Sequence, residues 1–176
     1  MNITARSEYA VRAVLAIAAA QAGPGGTGDG GTGDGAAIPV SVERLVTVQQ
    51  LPRKFLEGIL ADLRRAGLVV SRRGAAGGYL LARPEEAISV GDIIRAVDGP
   101  LAEVRGLRPH ETAYQGEAEH LPTLWVGVRA ALREVLDGTS VVQLRTGELP
   151  EVVRRLTASP EAWRNHPAAP SHNDGS

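Results

Sequence analysis

Cysteine is absent from all 176 residues. That gap excludes disulfides, thiol catalysis and any zinc or iron–sulfur site built on thiolates of this polypeptide. Aromatic side chains are nearly as scarce, with one Phe, two Trp and three Tyr, too few for the row of exposed rings on which unpaired bases stack. Lys54 is the sole lysine among nineteen basic residues, a bias that fits a GC-rich coding sequence and carries no structural meaning. Long apolar runs are missing as well. The opening MNITARSEYAVRAVLAIAAA is interrupted by Arg6, Glu8 and Arg12, and no run reaches the roughly 20 residues of a membrane helix. The expectation is a cytoplasmic chain with no membrane partner.

What is present begins with a core: 43% hydrophobic residues suffice for one domain with an appendage or for two small ones. The densest information lies in Leu51 to Arg83, LPRKFLEGILADLRRAGLVVSRRGAAGGYLLAR. Phe55, Leu56, Ile59, Leu60 and Leu63 recur at the spacing of one apolar helix face, and Pro52 suits a first helical position, where its missing N–H costs nothing. Arg53, Lys54, Glu57 and Gly58 occupy the opposite surface. Gly67 supplies a left-handed helix stop with Leu68 as its hydrophobic contact, so the helix ends near Ala66. Leu68 to Ser71 and Gly78 to Leu81 read as two strands, joined by a glycine-rich turn carrying Arg72 and Arg73. From Arg53 to Arg83 seven bases face two acids, although the whole chain is −1. Positive charge is therefore gathered on one segment, as a phosphate-binding surface requires.

Thr4 caps a first helix running to about Ala20. The segment Gly23 to Gly35 holds the unit GTGDG twice and reads as a flexible loop. Ser41 caps a short helix over Val42 to Val48, and the turn Gln49-Gln50-Leu51 leads into the helix at Pro52. Two helices joined by so short a turn form a helix-turn-helix, whose second helix enters the DNA major groove with its N-terminal residues nearest the bases. Beyond the hairpin, Ser89-x-x-Asp92 is a capping box for a helix to about Asp98. Leu101 to His120 lacks a strong period and reads as a loop or a partly ordered connection. Leu121, Trp125, Val128, Leu132 and Val135 then step by four and three, the seam of a coiled coil, with Leu124 and Leu136 widening it. Such a helix needs a partner, and a second copy of the chain is the economical one. Val141 to Leu144 and Leu149 to Leu156 read as short accessory helices, followed by a loose tail from Ser159.

The runs MNITARSEYAVRAV and GLVVSRRGAAGGYLLA, within a match spanning most of Met1 to Pro100, resemble the Rrf2 family of bacterial transcription regulators. The resemblance implies a mainly α fold with a small β-hairpin wing, and with the readings above it gives a winged helix-turn-helix domain over residues 1–99, a connector over 100–120, and a dimerisation helix with accessory helices over 121–158. Beyond Pro100 the resemblance extends only weakly, to the helix around Trp125; the connector, the accessory helices and the loose tail over 159–176 are read from the residues, as is the flexible loop over 23–35. The resemblance also implies a homodimeric repressor on double-stranded DNA, with the helix from Pro52 to Arg65 in the major groove and the wing from Arg72 to Tyr79 in the neighbouring minor groove. Several relatives hold an iron–sulfur cluster through three cysteines in the loop corresponding to Leu101 through Leu121. Some add an acidic ligand from the partner subunit near the position of Glu8. This chain has no such cysteines, so no cofactor is expected and Glu8 reads as an ordinary helix residue.

The expected DNA contacts are Gln49, Gln50, Pro52, Arg53 and Lys54 on the helix-turn-helix, and Arg72, Arg73, Gly77, Gly78 and Tyr79 on the wing. Arg and Lys donate to guanine O6 and N7, arginine enters narrow minor grooves, and glycine N–H groups approach a phosphate unobstructed. The expected homodimer contacts are Leu121, Leu124, Trp125, Val128, Leu132 and Val135, and two-fold symmetry then predicts a palindromic operator. Two other classes compete. One is a winged-helix protein-interaction module without DNA binding; the other is a metal or small-molecule sensor using His110, Glu111, Glu117, Glu119 and His120. The effector is not written in these residues. No nucleophile, base and orienting acid can be assembled into an enzyme's site.

Overall fold

The computed structural model describes residues 3–23, 38–74 and 76–164; most of the glycine-rich repeat and the tail beyond Arg164 lie outside them. The first helix, α1 (Ala5–Ala22), starts where Thr4 accepts a hydrogen bond from the Ser7 amide at 3.0 Å. Its buried face consists of Ser7, Ala10, Ala13, Val14, Ile17 and Ala18. These mostly small side chains let backbones come close, and α1 packs on the helices Val42–Gln49, Arg53–Arg65, Val90–Asp98 and Val141–Thr146 and on the wing, which with it make up the head of the molecule. Helix α2 (Val42–Gln49) is capped by Ser41 and ends at Gln50, a non-glycine residue with φ of 51°.

Helix α3 (Arg53–Arg65) buries Leu56, Ile59, Leu60 and Leu63 completely, each contributing about 1.5–3 kcal/mol through burial. Two details differ from the sequence reading. Pro52 is the extended N-cap, not the first helical residue. Phe55 is 53% exposed, lying edge-on to Tyr9 with ring centroids 6.5 Å apart, because one residue is about 100° of helix turn and the stripe centred on Leu56 and Leu60 leaves Phe55 at its border. The stop is as expected. The Leu68 amide donates to the Leu63 carbonyl (2.9 Å) and the Gly67 amide to that of Arg64 (3.0 Å), with Gly67 at φ of 68°, the paired bonds of a Schellman motif.

The wing is an antiparallel pair, β1 (Val69–Arg72) and β2 (Gly78–Leu81), with Val69 opposite Leu81 and Arg72 opposite Gly78. It starts one residue later than the sequence pattern suggests because Leu68 is committed to the helix stop. Val40, just before α2, exchanges both backbone hydrogen bonds with Tyr79 at 2.9 Å, so the approach to α2 is docked on the wing. A Cβ on Gly78 would lie 2.5 Å from the Val40 carbonyl oxygen. Only glycine permits this closeness.

Helix α4 (Val90–Asp98) carries the expected capping box of Ser89 and Asp92. Asp92 accepts from Arg95 at 2.9 Å. Burial alone would raise its pKa, but hydrogen bonds from Arg95 and Ser89 hold it below the usual value of 3.8. The connector is more ordered than its composition suggests. It contains 3-10 turns at Pro109–Glu111 and Gly116–Ala118, buries Pro109 and Thr112, and packs on helix α5 (Leu121–Leu136). Helices α6 (Val141–Thr146) and α7 (Glu151–Thr157) follow.

Sequence order groups α6 with α5, whereas the structure seats it in the head. Val141 is buried in the main core and donates to the Ile88 carbonyl, Val90 donates to that of Thr139, both at 2.9 Å, and Arg145 forks onto Glu85 at 2.8 and 2.5 Å. The short apolar run could not reveal which face it would cover. Past α7, the turn Pro160–Trp163 is held by Trp163 Nε1 donating to the Thr157 carbonyl. Among the described residues no helix is long and apolar enough to cross a membrane.

Replacing Gly78 by Ala is expected to destabilise the chain by about 2 kcal/mol or more, since rigid backbone stands where the methyl must go; chemical denaturation measures it, and an unchanged midpoint would refute the docking of Val40. Asp92→Ala should cost about 1 kcal/mol at neutral pH. Because the folded-state pKa of Asp92 is depressed, its contribution is present above the unfolded value and is lost as pH falls through the folded one. The stability gap between wild type and variant should therefore narrow below pH 3.8.

Candidate nucleic-acid interface

The helix-turn-helix is clamped from behind. Arg12 on α1 donates from Nε to the Gln49 side-chain oxygen at 3.2 Å, and its Nη2 donates to the Gln49 carbonyl. This fixes the end of α2 and occupies Gln49, a predicted DNA contact whose side chain is turned to an internal role. Gln50 and Pro52 are exposed, whereas Leu51 between them is buried. The turn thus presents alternate residues.

Arg53 and Lys54 lie exposed at the start of α3, as expected. Arg53 is flanked by Glu57 at 3.0 Å and Glu43 at 2.9 Å, and the hydrogen bonds it donates to Glu57 and Glu43 raise its pKa above the ordinary value. All three side chains are solvated, so these pairs orient Arg53 without holding it tightly. The Glu57 pair follows from the i, i+4 spacing; the Glu43 pair crosses the turn and has no sequence signature. Lys54, Arg64, Arg72, Arg73 and Arg83 form no ion pair among the described residues and are exposed. That set of uncommitted cations carries the positive field of the head.

On the wing, Arg72 and Arg73 project around the turn, but the glycines do something other than expected. The Gly77 amide donates to the Gly74 carbonyl at 2.9 Å, and a Cβ there would sit 2.5 Å from the Arg72 carbonyl oxygen. Its N–H is spent on the turn. Gly78 serves the close approach of Val40. Tyr79 has both backbone groups bonded to Val40 and its ring packed on the core. Gly77, Gly78 and Tyr79 therefore shape the wing, leaving its arginines as the groups free to meet a phosphate.

The seam of α5 is open. No residue of α5 is buried, Leu124 is 55% exposed and Val128 41%, while Leu121, Trp125, Leu132 and Val135 are half-buried. Trp125, Val128, Leu132 and Leu136 join Ile3 and Val104 in lining an apolar cavity of about 590 Å³. The buried Nε1 of Trp125 has no acceptor among the described residues.

The side chains here do not fit an iron–sulfur cluster. There is no thiolate in the chain, Glu8 pairs with Arg12 at 3.2 Å, and no three of His, Asp or Glu gather into a metal site among the described residues. His120 meets Glu119 at 3.3 Å and His110 comes within 4.0 Å of Glu111, as isolated pairs.

Comparison with known proteins agrees with this architecture. Residues 33–146 match the Rrf2 family, described as iron-dependent transcriptional regulators. The provisionally named HTH-type transcriptional regulator Rv1287 of Mycobacterium tuberculosis is 38% identical over 156 residues, covering 89% of this chain and 88% of the relative. The HTH-type transcriptional regulator CymR of Bacillus subtilis is 40% identical over 106 residues, covering 60% of this chain and 72% of the relative. The solved structure of B. subtilis CymR, titled the global cysteine regulator of that organism, superposes with a TM-score of 0.65 at 30% identity, over 84% of this chain and 98% of that one. Motif, fold and relatives converge: the chain belongs to the Rrf2 family and is a DNA-binding transcriptional regulator built on a winged helix-turn-helix.

Proposed function

We propose that the protein is a sequence-specific repressor that binds a palindromic operator as a homodimer through α5, in the cytoplasm and without an iron–sulfur cluster. The observation that carries this reading is the state of α5 in a single chain: a sixteen-residue helix with no buried residue and an apolar seam beside an apolar cavity. Exposed apolar surface of this extent marks a contact site. A second copy placing its own α5 on the seam would cover Leu124 and Val128 and restore burial to both helices.

Two-fold symmetry presents two α3 helices to half-sites spaced by about one DNA turn or a multiple of it. At each half-site, Arg53, Lys54 and Gln50 supply contacts at the N-terminal end of α3, and Arg72 and Arg73 supply the wing. Arg53 exchanges its carboxylates for DNA oxygens, an exchange that the solvation of Glu43 and Glu57 makes inexpensive. Repression follows from occupying promoter DNA; the support for that direction of control is the family resemblance.

Substituting both Arg72 and Arg73 by Ala is expected to weaken operator binding and to lower the slope of log affinity against log salt by about 2, read by fluorescence anisotropy across a salt series. An unaltered slope would remove the wing from the interface. The pair Leu124→Asp and Val128→Asp should yield a folded monomer by sedimentation, with affinity for the palindrome reduced by about 100-fold or more. A variant that still sediments as a dimer would place the two-fold contact elsewhere.

A further inference from the structure

A second group of guanidiniums gathers where α4, the connector and α5 meet. Arg95 from α4, Arg108 and His110 from the connector, and Arg129, Arg133 and Asp137 from α5 and its cap line a cavity of about 580 Å³, within the roughly 300–1,000 Å³ of small-molecule sites. Four arginines share one lining carboxylate. Asp137 accepts from Arg95 at 2.6 Å and from Arg133 at 3.1 Å, and Arg95 is held from behind by Asp92 at 2.9 Å. These two guanidiniums are thereby fixed in place.

Arg108 and Arg129 have no carboxylate within ion-pair distance among the described residues. The nearest acid in sequence, Glu111, accepts from the Arg108 backbone amide at 2.9 Å. Arg129 has Nη1 at 3.3 Å from His110 Nδ1, a contact that uses the ring nitrogen as acceptor. Like charges drawn into one concavity repel, and the acids present cannot neutralise them all. A bound anion would.

We propose that this cavity is a binding site for a small phosphate-type oxyanion, either inorganic phosphate or the phosphoryl group of a metabolite. Guanidinium is the side chain of choice for such groups because its planar fork donates two hydrogen bonds in parallel. Two uncommitted forks, Arg108 and Arg129, with the remaining N–H donors of Arg95 from a third chain segment, suit a tetrahedral anion with several oxygens better than a planar carboxylate, which one or two forks satisfy. An anion bridging Arg95 with Arg108 and Arg129 ties α4 of the reading head to α5. The site's role as the effector input rests on the regulator reading above; the binding itself does not.

The test is calorimetric titration of the full chain with inorganic phosphate near neutral pH, at ionic strength held constant with potassium chloride. Saturable binding of one phosphate per chain is expected. Arg108→Gln combined with Arg129→Gln should weaken it by about ten-fold or more, while Arg72→Ala with Arg73→Ala should leave it unchanged. The absence of saturable binding by the wild type, or its loss in the wing variant but not in the cavity variant, would overturn the site. A phosphorylated sugar in competition separates the two sources: displacement at lower concentration than inorganic phosphate identifies a metabolite. Duplex binding by the wild type in phosphate-free buffer is measured alongside, so that failure of the regulator reading registers separately from failure of the anion site.

Discussion

The narrow face of α1 is the constraint on which the rest of the head depends. Ala10, Ala13 and Ala18 hold so little volume that neighbouring elements close in on Val14 and Ile17 and pack at contact distance. The same helix sends polar side chains outward from this core: Thr4 and Ser7 bond Asp98 at the end of α4, Arg6 reaches Asp62 on α3, and Arg12 holds Gln49 at the end of α2. One helix bonded to both α2 and α3 thus fixes how their ends are placed relative to each other. The turn between them can then use a left-handed Gln50, because its ends are fixed from elsewhere.

Much of the head was legible because its signals are local. A cap is a side chain bonding an amide three residues away, and Thr4, Ser41 and Ser89 all do this. The stop at Gly67 needs only that glycine and Leu68. Contacts between distant segments left no trace: Val40 on the wing, Val141 in the core and Glu43 beside Arg53 depend on three-dimensional closure. Phe55, exposed at the border of its helix face, shows that periodicity finds the centre of an apolar stripe better than its edge.

The candidate interface divides along the same line. That Arg53, Lys54, Arg72 and Arg73 would be exposed could be read from pattern and charge. Which polar groups are already satisfied could not. Gln49, Gly77 and Tyr79 look in sequence like groups awaiting DNA, yet Arg12 occupies both Gln49 oxygens, the Gly77 amide closes the turn, and the Tyr79 backbone is bonded to Val40. Residues that shape a binding surface and residues that touch its ligand can have the same composition; only an accounting of donors and acceptors separates them.

The seating of α6 has a further bearing on how the protein is made. The backbone bonds joining Ile88 and Val90 to Thr139 and Val141 close the connector and α5 into one loop. Such a pairing is a contact of high sequence separation. On the ribosome, the head cannot complete its core until Val141 has left the exit tunnel, and α5, which precedes it in the chain, has left by then. The helix expected to find a second copy is thus available before the domain that would read DNA has finished folding.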